Sequence, residues 1–368
     1  MHIISNDIQT EKKGQLMTNP KECTKDKAKM LIKWFEQNKR DMPWRKTKDP
    51  YCIWVSEVML QQTQVVTVIP YYIQFMERFP TITDLANATL EEVHNYWQGL
   101  GYYKRGENLW KGAKVIKEKW QGIFPKDPKQ IKEIPGIGPY TLGAICSIAY
   151  DMPLPAVDGN VMRVMSRWYC LSEDIGIAKN RKVFEEKVME NMPEHPSAFN
   201  QGLMELGALI CTPKNPKCEE CPIRTQCMAY QTGTVLNYPV KEKKVKKVEE
   251  NYYALIIEKD HKLGMIKKQG EGLLANLWGL PLIEAEIWER ESFNKLEHTQ
   301  FEQVNHIFTH KKWMMKPVTI KWAAKLEEYL KKTNIEVDEI QYFSELELKQ
   351  IPIATAFKKV LKVIHIKL

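Results

Sequence analysis

A run of glycines and prolines at residues 134–139 constrains the fold of this chain more than any other feature. The run reads Ile-Pro-Gly-Ile-Gly-Pro, and two prolines and two glycines so close together cannot continue a helix. A tight turn must therefore separate the preceding segment from an apolar helix that begins near Tyr140. Gly136 and Gly138 leave backbone N–H groups uncovered at that helix N-terminus, where the partial positive charge suits a phosphate oxygen.

Composition places the chain among ordinary globular proteins. It has 368 residues, 43% of them hydrophobic and 27% charged, which is enough for two or three domains with proper cores. A net charge of +8 permits a polyanionic partner without requiring one. No apolar run has the length of a membrane span, and the N-terminus lacks a signal-peptide core. We therefore expect a cytoplasmic protein.

Two acidic residues stand out because each has two interpretations. Asp158 lies in a Pro-Ala-Val-Asp-Gly-Asn loop where a new helix starts, so it is either an ordinary N-cap or a catalytic carboxylate. Glu57 falls in an apolar pattern that predicts a helix opened near Ser56 and closed at Pro70. An acid in a first turn usually caps the helix or favours its dipole. If it is buried instead, its pKa should rise and it becomes a candidate general acid.

Helical patterns extend through the first 230 residues, and none of these patterns indicates a strand. The predicted helices start near residue 26 and continue to residue 210, with a loop, Gln-Gly-Leu-Gly-Tyr-Tyr, at residues 98–103. The loop offers a pair of tyrosines, and it is either a helix C-cap with packed aromatics or an aromatic wedge that enters a base stack.

Four of the eight cysteines fall within seventeen residues, as Cys211-x6-Cys218-x2-Cys221-x5-Cys227. In a reducing compartment such a cluster suggests a metal site rather than disulfides. Structural zinc sites usually pair two Cys-x-x-Cys knuckles, and here there is one. The spacing therefore favours a 4Fe-4S cluster over zinc.

Composition changes after residue 250. Residues 231–250 are rich in lysine and poor in large apolar residues, as in an exposed basic linker. Beyond them, strand-like runs and one amphipathic helix at residues 354–366 predict an α+β domain. We expect a flexible extension at 1–24, with Met1 or Met17 as the start, an all-α domain at 25–230 that includes the metal loop 211–227, the linker 231–250, and an α+β domain at 251–368.

With these motifs in place, the chain resembles the helix-hairpin-helix DNA glycosylases, and among them the MutY adenine DNA glycosylases. The resemblance covers about residue 27 to the C-terminus. It is carried by Ser-Glu-Val-Met-Leu-Gln-Gln-Thr at 56–63, Gly-Leu-Gly-Tyr-Tyr at 99–103, Pro-Gly-Ile-Gly-Pro-Tyr-Thr at 135–141, Val-Asp-Gly-Asn-Val at 157–161 and the four cysteines. All five occur in the family's order.

The resemblance implies a fold, a cofactor and a reaction. The expected fold is an all-α helix-hairpin-helix domain with a 4Fe-4S loop, followed by an α+β Nudix-like domain. The expected reaction is hydrolysis of the N-glycosidic bond of adenine opposite 8-oxoguanine or guanine in duplex DNA, which prevents G:C to T:A transversions. The base must be flipped out of the duplex before that bond can be reached.

The resemblance also assigns roles to residues. Glu57 would protonate adenine N7, and Asp158 would stay ionised and stabilise the oxocarbenium-like sugar. Asn160 would orient water or the acid, and Tyr140 would hydrogen-bond in the same pocket. The remaining DNA contacts would come from Trp44, Arg45, Leu60 and Gln201 at the adenine, and from Gln62, Thr63 and Tyr102 at the gap and its partner base.

Tyr140 bears on strand cleavage. In the related bifunctional glycosylases, such as endonuclease III, the matching hairpin position carries a lysine that forms a Schiff base. A phenol cannot form that imine, so the resemblance implies base removal without a lyase step. Two alternatives stay open: a pyrimidine glycosylase with lyase activity, and a catalytically silent DNA-binding or electron-carrying iron–sulfur protein.

The C-terminal domain resembles a Nudix fold but lacks the Arg-Glu-x-x-Glu-Glu segment that holds magnesium in the hydrolases, so we expect recognition without hydrolysis. In the family a Phe-Ser-His loop reads 8-oxoguanine. This chain has Phe308-Thr309-His310, which keeps the hydroxyl and adds a methyl group. We expect a bacterial, nucleoid-acting monomer whose linker 231–250 could contact repair or replication proteins.

Overall fold

A computed structural model describes residues 20–242, 247–270, 273–308, 310–321, 324–333 and 335–366. The chain divides into two compact units, one formed by residues 1–40 with 146–241 and the other by residues 41–145 with 242–368. The boundary at residue 145 falls inside one helix. Thr309 and the alternative start Met17 lie outside the described residues.

Helices dominate the part of the chain before residue 242. In chain order they are α1 Pro20–Asn38, α2 Pro50–Leu60, α3 Val65–Arg78, α4 Ile82–Asn87, α5 Leu90–Trp97, α6 Lys104–Trp120, α7 Pro128–Lys132, α8 Pro139–Tyr150, α9 Gly159–Tyr169, α10 Arg181–Glu190, α11 Pro196–Leu209 and α12 Met228–Gln231. Short 3-10 turns lie at Pro43–Lys46, Ala178–Asn180, Cys218–Glu220, Arg224–Gln226 and Val235–Asn237.

A mixed sheet follows, with helices beside it. Its strands are β1 Val248–Lys259, β2 Lys262–Lys267, β3 Trp278–Gly279, β4 Leu282–Glu284, β5 His298–Gln300, β6 Val304–Ile307, β7 Lys311–Lys321 and β8 Ile340–Phe343. The accompanying helices are α13 Ala285–Arg290, α14 Ala324–Leu330, α15 Glu345–Leu348 and α16 Thr355–Val363, with 3-10 turns at Phe293–Lys295 and Val337–Glu339.

The long strands β1 and β7 form the centre of the sheet. They pair in parallel from Val248 opposite Lys311 to Glu258 opposite Lys321, and every other described pairing between two of these strands is antiparallel. The path is β3-β2-β1-β7-β5, with β4 on β1, β6 on β7 and β8 on β2. Ala254 and Ile256 enter one apolar core and Leu255 and Ile257 another, because successive side chains of a strand point to opposite faces. The sheet and its helices, residues 247–366, are called the sheet domain below.

In the other unit, the core is formed by α1, α9, α10 and α11. Its buried residues include Leu31, Val164, Phe184 and Leu203. This core packs α9, which begins at the Asp158 loop, against α11 just before the cysteine loop. No helix within the described ranges is long and apolar enough to cross a membrane.

Three predicted helix boundaries differ from the structure. The Asp49-Pro50 pair starts α2 six residues before Ser56, because the Asp49 side chain accepts a hydrogen bond from Tyr51 N at 2.8 Å and proline is favoured in a first turn. The chain then turns at residues 61–64, and α3 continues through Pro70 instead of ending there. Pro20 likewise starts α1 inside the segment predicted to be a loose extension.

Candidate active site

Glu57 lies in the third turn of α2, and the residue is only 6% exposed. Since α2 begins at Pro50, Glu57 is neither a cap nor a first-turn acid, which removes the ordinary interpretation of this residue. Nearly every residue of α2 is buried, as expected for a helix that is apolar on all sides. The Tyr140 hydroxyl donates a hydrogen bond to Glu57 Oε2 at 2.5 Å.

Tyr140 is the second residue of α8, directly after the Gly/Pro hairpin. α7 and α8 flank that hairpin, so the predicted helix–hairpin–helix is present. Gly136 has a φ of +83°, and a Cβ there would lie 2.8 Å from the Asn108 Cβ. A Cβ at Gly138 would meet nothing within 4 Å. The first glycine is therefore required by the turn, and the second leaves open space at the N-terminus of α8.

Asp158 is the N-cap of α9. Its Oδ1 accepts a hydrogen bond from Val161 N at 2.8 Å, and its Oδ2 accepts one from Asn160 Nδ2 at 2.8 Å. Burial raises the pKa of Asp158 above its ordinary value, while these donors and the Arg163 charge act in the opposite direction. Asp158 is thus the N-cap that the sequence suggested, and because its carboxylate is also partly desolvated, the catalytic role stays a prediction.

Arg163 connects this carboxylate to the cysteine loop. Its Nη2 donates to Asn160 Oδ1 at 2.9 Å and to Gly207 O at 2.7 Å, and its Nε donates to Cys211 O at 2.7 Å. Asn160 approaches α11 so closely that a Cβ on Gly207 would lie 2.7 Å from the Asn160 Cβ. Asp158, Asn160, Arg163 and Cys211 therefore form one continuous chain of hydrogen bonds within their unit.

The predicted DNA-contacting segment at residues 60–63 is held by Arg105. One Arg105 Nη atom binds the main-chain oxygens at the end of α2, with Val58 O at 2.8 Å and Met59 O at 2.9 Å, and it also contacts Gln61 O. The other Nη atom binds Thr63 Oγ1 at 3.2 Å. Burial lowers the pKa of Arg105 to about 10. Leu60 ends α2, and Gln62 is exposed with a φ of +59°.

Tyr102 and the predicted lesion-reading residues line one cavity. Tyr102, which is 48% exposed, Phe308 and His310 all border a cavity of about 660 Å³. The Phe308 ring packs edge-on against Trp313 at 4.8 Å between centroids. The structure thus brings together residues about 200 positions apart in the sequence, as expected if they contact the same region of a ligand.

The remaining predicted adenine contacts lie on separate elements. Trp44 is buried in the 3-10 turn after residue 42, with its ring edge-on to Tyr72 at 5.2 Å, and Arg45 follows it half-buried. Gln201 lies on α11, where its Nε2 donates to Ser197 Oγ at 3.2 Å. The roles proposed for these residues stay predictions.

The four clustered cysteines are free thiols that line one small apolar cavity together with Arg167 and Ile223. Arg167, which is 1% exposed, donates to Cys211 Sγ at 3.3 Å, and Cys227 Sγ donates to Arg167 O at 3.3 Å. Within the described ranges no three His, Cys, Asp or Glu side chains converge to hold a single metal ion. Four thiols around one cavity, with the buried Arg167 cation beside them, suit an anionic iron–sulfur cluster.

Burial raises the pKa of Cys221 to about 12 and also raises the pKa values of Cys218 and Cys227. These thiols would therefore be neutral until coordination removes their protons. The residues present fit a 4Fe-4S cluster held by Cys211, Cys218, Cys221 and Cys227.

Three family profiles match this chain in succession. Residues 55–194 match the HhH-GPD superfamily of base excision DNA repair proteins. Residues 211–227 match the iron–sulfur binding domain of endonuclease III, and residues 252–363 match a NUDIX domain.

Full-length relatives decide the family. The adenine DNA glycosylase of Buchnera aphidicola subsp. Schizaphis graminum is 37% identical over 295 residues, which cover 77% of this chain and 84% of the relative. The chain belongs to the adenine DNA glycosylase family. The mouse member is 33% identical over 351 residues, covering 76% of this chain and 67% of the relative. The chain is thus a DNA glycosylase of base excision repair, an enzyme class that binds DNA and hydrolyses N-glycosyl bonds.

Solved structures agree with the fold. A thermostable thymine-DNA glycosylase is 30% identical, has a TM-score of 0.53 and covers 57% of this chain and 98% of its own. Endonuclease III in a trapped DNA complex is 21% identical and has a TM-score of 0.50, and the match covers 59% of this chain and 99% of the endonuclease III chain. The predicted helical domain, iron–sulfur cluster and Nudix-like domain of this glycosylase family are confirmed.

Sequence reasoning did not assign roles to Arg105, Arg163 or Tyr103. Arg105 follows the tyrosine pair closely at the start of α6, and Arg163 lies three residues after Asn160, one helical turn along. Both bind main-chain oxygens distant in sequence, such as Val58 O for Arg105 and Cys211 O for Arg163. No local pattern reveals these acceptors.

Proposed function

We propose that this enzyme removes adenine paired with 8-oxoguanine or guanine in duplex DNA, without cleaving the strand. The observation that carries the proposal is the buried Glu57 carboxyl with the Tyr140 hydroxyl hydrogen-bonded to it. A buried acid whose carboxyl is held by a hydroxyl donor is suited to proton transfer. The names of the relatives, which are adenine DNA glycosylases, support the choice of base.

In the proposed reaction, Glu57 delivers a proton to N7 of the flipped adenine, so that the base leaves as a neutral group. Asp158 is ionised and stabilises the positive charge that develops on the sugar, because a partly desolvated carboxylate attracts a nearby cation strongly. Asn160 holds the Asp158 carboxylate in place and leaves its second oxygen oriented by Val161 N. Water then attacks the sugar and completes the hydrolysis.

Cysteines 211, 218, 221 and 227 would hold the cluster and thereby order the loop between Ile210 and Met228. The cluster would supply a rigid, coordinated fold for this loop and, with Lys214, Lys217 and Arg224, a surface that attracts phosphate. Arg163 and Arg167 hold the loop to α9 through the contacts at Cys211.

For the partner base we propose recognition in the cavity bordered by Tyr102, Phe308 and His310. The rings of Tyr102 and Phe308 offer stacking surfaces, and Lys104 and Lys311 on the same cavity wall offer phosphate contacts. Gly136 and Gly138 would contact the backbone of the adenine strand. We expect the enzyme to act on the bacterial nucleoid, where its duplex substrate lies.

The test is a duplex with adenine opposite 8-oxoguanine, incubated with the protein and then treated with alkali. We expect a cut at that adenine, a slower cut opposite guanine, and none in a duplex with adenine opposite thymine. Glu57→Gln is the matched inactive variant. Equal cutting of every pair, or cutting of oxidised pyrimidines instead, would reject the proposal.

Strand cleavage is tested with the same duplex. Because Tyr140 cannot form an imine, borohydride should trap no covalent adduct and the strand should stay intact until alkali is added. A trapped adduct with the wild-type protein would assign it to the bifunctional class.

A further inference from the structure

The loop that presents Tyr102 has a strained backbone. Three residues of the loop have positive φ angles: Gly99 at +103°, Gly101 at +73° and Tyr102 at +50°. Unlike glycine, tyrosine rarely adopts a positive φ. A Cβ on Gly99 would lie 2.2 Å from the Tyr71 hydroxyl oxygen. Such a backbone persists only where its surroundings hold it.

On one side the loop is held by the helix that carries Glu57. Arg105, which binds the last carbonyls of α2, also donates to Gly101 O at 3.1 Å, and its guanidinium lies 5.5 Å from the Tyr102 ring centre. Trp97 Nε1 donates to the same Gly101 oxygen at 3.2 Å.

On its other side the loop is held by the sheet domain. Gln98 Nε2 donates to Ile351 O at 3.2 Å, and Asn95 Nδ2 donates to Gln350 O at 3.0 Å. These two side chains bind main-chain atoms in the segment before α16. The loop is therefore attached to the same domain that carries Phe308 and His310.

Tyr103 makes the most extensive of these attachments. Its ring packs on the sheet domain's first apolar core, the one that contains Ala254 and Ile256. Its hydroxyl oxygen accepts a hydrogen bond from Gly99 N at 3.2 Å. Thr355, at the start of α16, borders the same cavity as Tyr103, and hydrogen bonding from its side chain opposes the rise in the pKa of Tyr103 that burial causes. The Tyr103 phenol oxygen thus connects the sheet domain to Gly99, the first of the three loop residues that have a positive φ.

We propose that Tyr103 is a positioning residue through which the sheet domain sets the Tyr102 wedge according to the base opposite adenine. The proposal rests on the function proposed above. Tyr102 borders the same cavity as Phe308 and His310. A partner base that engages the sheet domain there therefore acts on the wedge through Thr355, Tyr103 and Gly99.

The expected effect is on discrimination between partner bases. With 8-oxoguanine opposite adenine, the sheet domain has its full contacts and the Tyr103 link contributes. With guanine opposite adenine, the Tyr103 link contributes less, because fewer contacts fix the sheet domain. Loss of one neutral hydrogen bond changes an equilibrium by about fivefold, so the ratio of the two excision rates should fall by about that factor.

The test measures single-turnover excision of adenine opposite 8-oxoguanine and opposite guanine for Tyr103→Phe, Thr355→Val and the double variant. Each single substitution should lower the ratio of rates by about fivefold. The double variant should lower it no further, because both substitutions break one link. Thr355→Ser keeps the hydroxyl and should retain the wild-type ratio.

Tyr329→Phe is the matched control. Tyr329 packs on the second core of the sheet domain, on the opposite face of β1 from Tyr103, and its substitution should leave the ratio unchanged. Thermal melting of each variant, followed by circular dichroism, identifies loss of folding separately.

Three outcomes would overturn the proposal: an unchanged ratio in Tyr103→Phe, multiplying effects in the double variant, or equal slowing on both duplexes with a lowered melting temperature. The last outcome would assign Tyr103 to scaffolding alone. If the wild-type protein released adenine from neither duplex, the proposed function itself would fail and this inference with it. Wild-type excision with an unaltered ratio in the variants rejects only the inference.

Discussion

Tyr140 donates a hydrogen bond to Glu57 across 83 positions of sequence, and this bond joins the helix that carries the acid to the first turn after the Gly/Pro hairpin. A DNA strand bound by the hairpin would therefore be linked through Tyr140 to Glu57, the proposed proton donor. The hydroxyl also fixes one oxygen of the Glu57 carboxyl, and in the proposed reaction this defines how the acid faces the adenine.

Tyr140→Phe should slow adenine excision by roughly ten- to a hundredfold, the usual effect of losing a hydrogen bond to a carboxyl group in a buried site. The ring remains, so the melting temperature should change little. Single-turnover rates with saturating enzyme measure the chemical step directly, and Glu57→Gln provides the inactive reference. A Tyr140→Phe rate equal to wild type would show that the hydroxyl has no part in the reaction.

Asp158→Asn separates activity from stability. Asparagine caps a helix about as well as aspartate, but it cannot stabilise a cationic sugar, so excision should fall by at least about a hundredfold. Binding to a duplex with a non-cleavable adenine nucleotide should remain. Loss of binding together with activity would instead indicate that Asp158 mainly shapes the loop.

The same variant has a predicted pH dependence. Burial raises the pKa of Asp158 above its ordinary 3.8. The stability that protonation of Asp158 contributes is therefore complete below pH 3.8 and is lost as the pH rises through the raised pKa. Asparagine has no such loss. At pH 7 Asp158→Asn should melt no lower than wild type, and any advantage should shrink towards pH 4. A lower melting temperature at pH 7 would contradict this.

Gly136→Ala and Gly138→Ala form a matched pair at the hairpin. Gly136→Ala forces alanine into a left-handed conformation against Asn108 and should destabilise the protein by about 1–3 kcal/mol. Gly138→Ala meets open space and should fold normally, so any loss of DNA affinity in it reports on backbone approach alone. Chemical denaturation and fluorescence anisotropy with a labelled duplex measure the two effects. Equal stability of both variants would reject the steric argument.

Arg163→Leu should weaken both the cluster loop and the catalytic carboxylate. It leaves Asn160 Oδ1 and the Cys211 and Gly207 carbonyls without a buried donor, at a cost of about 1–3 kcal/mol for each unsatisfied group. We expect a lower ratio of iron to protein, weaker visible absorption and slower excision. Lys182→Leu, at an exposed ion pair on α10, is the control. Full iron content together with an unchanged excision rate would show that Arg163 does not connect the cluster loop to the Asp158 carboxylate.

Local sequence chemistry determined much of this molecule in advance. Pro and Gly restrict the backbone whatever surrounds them, so the hairpin and its two helices followed from residues 134–141. Cysteine spacing indicated a cluster, and the shift from helical to strand periodicity separated the Nudix-like domain. Local signals gave wrong helix boundaries where two of them competed. Ser56 and Pro70 suggested the ends of one helix, whereas the Asp49-Pro50 cap and the turn at residues 61–64 divided the segment in two.

Sequence alone therefore indicated which residues are suited to chemistry, because residue type and spacing decide what a side chain can donate, accept or ligate. Tertiary structure decided which state those residues adopt. It buried Glu57 in the third turn of α2 and placed Tyr140 against it, and it joined Asn160 to Cys211 through Arg163. It also attached Tyr103 to Thr355. Each of these contacts joins elements distant in the chain, and their energies depend on burial and on acceptor positions that arise only when the helices and sheet pack.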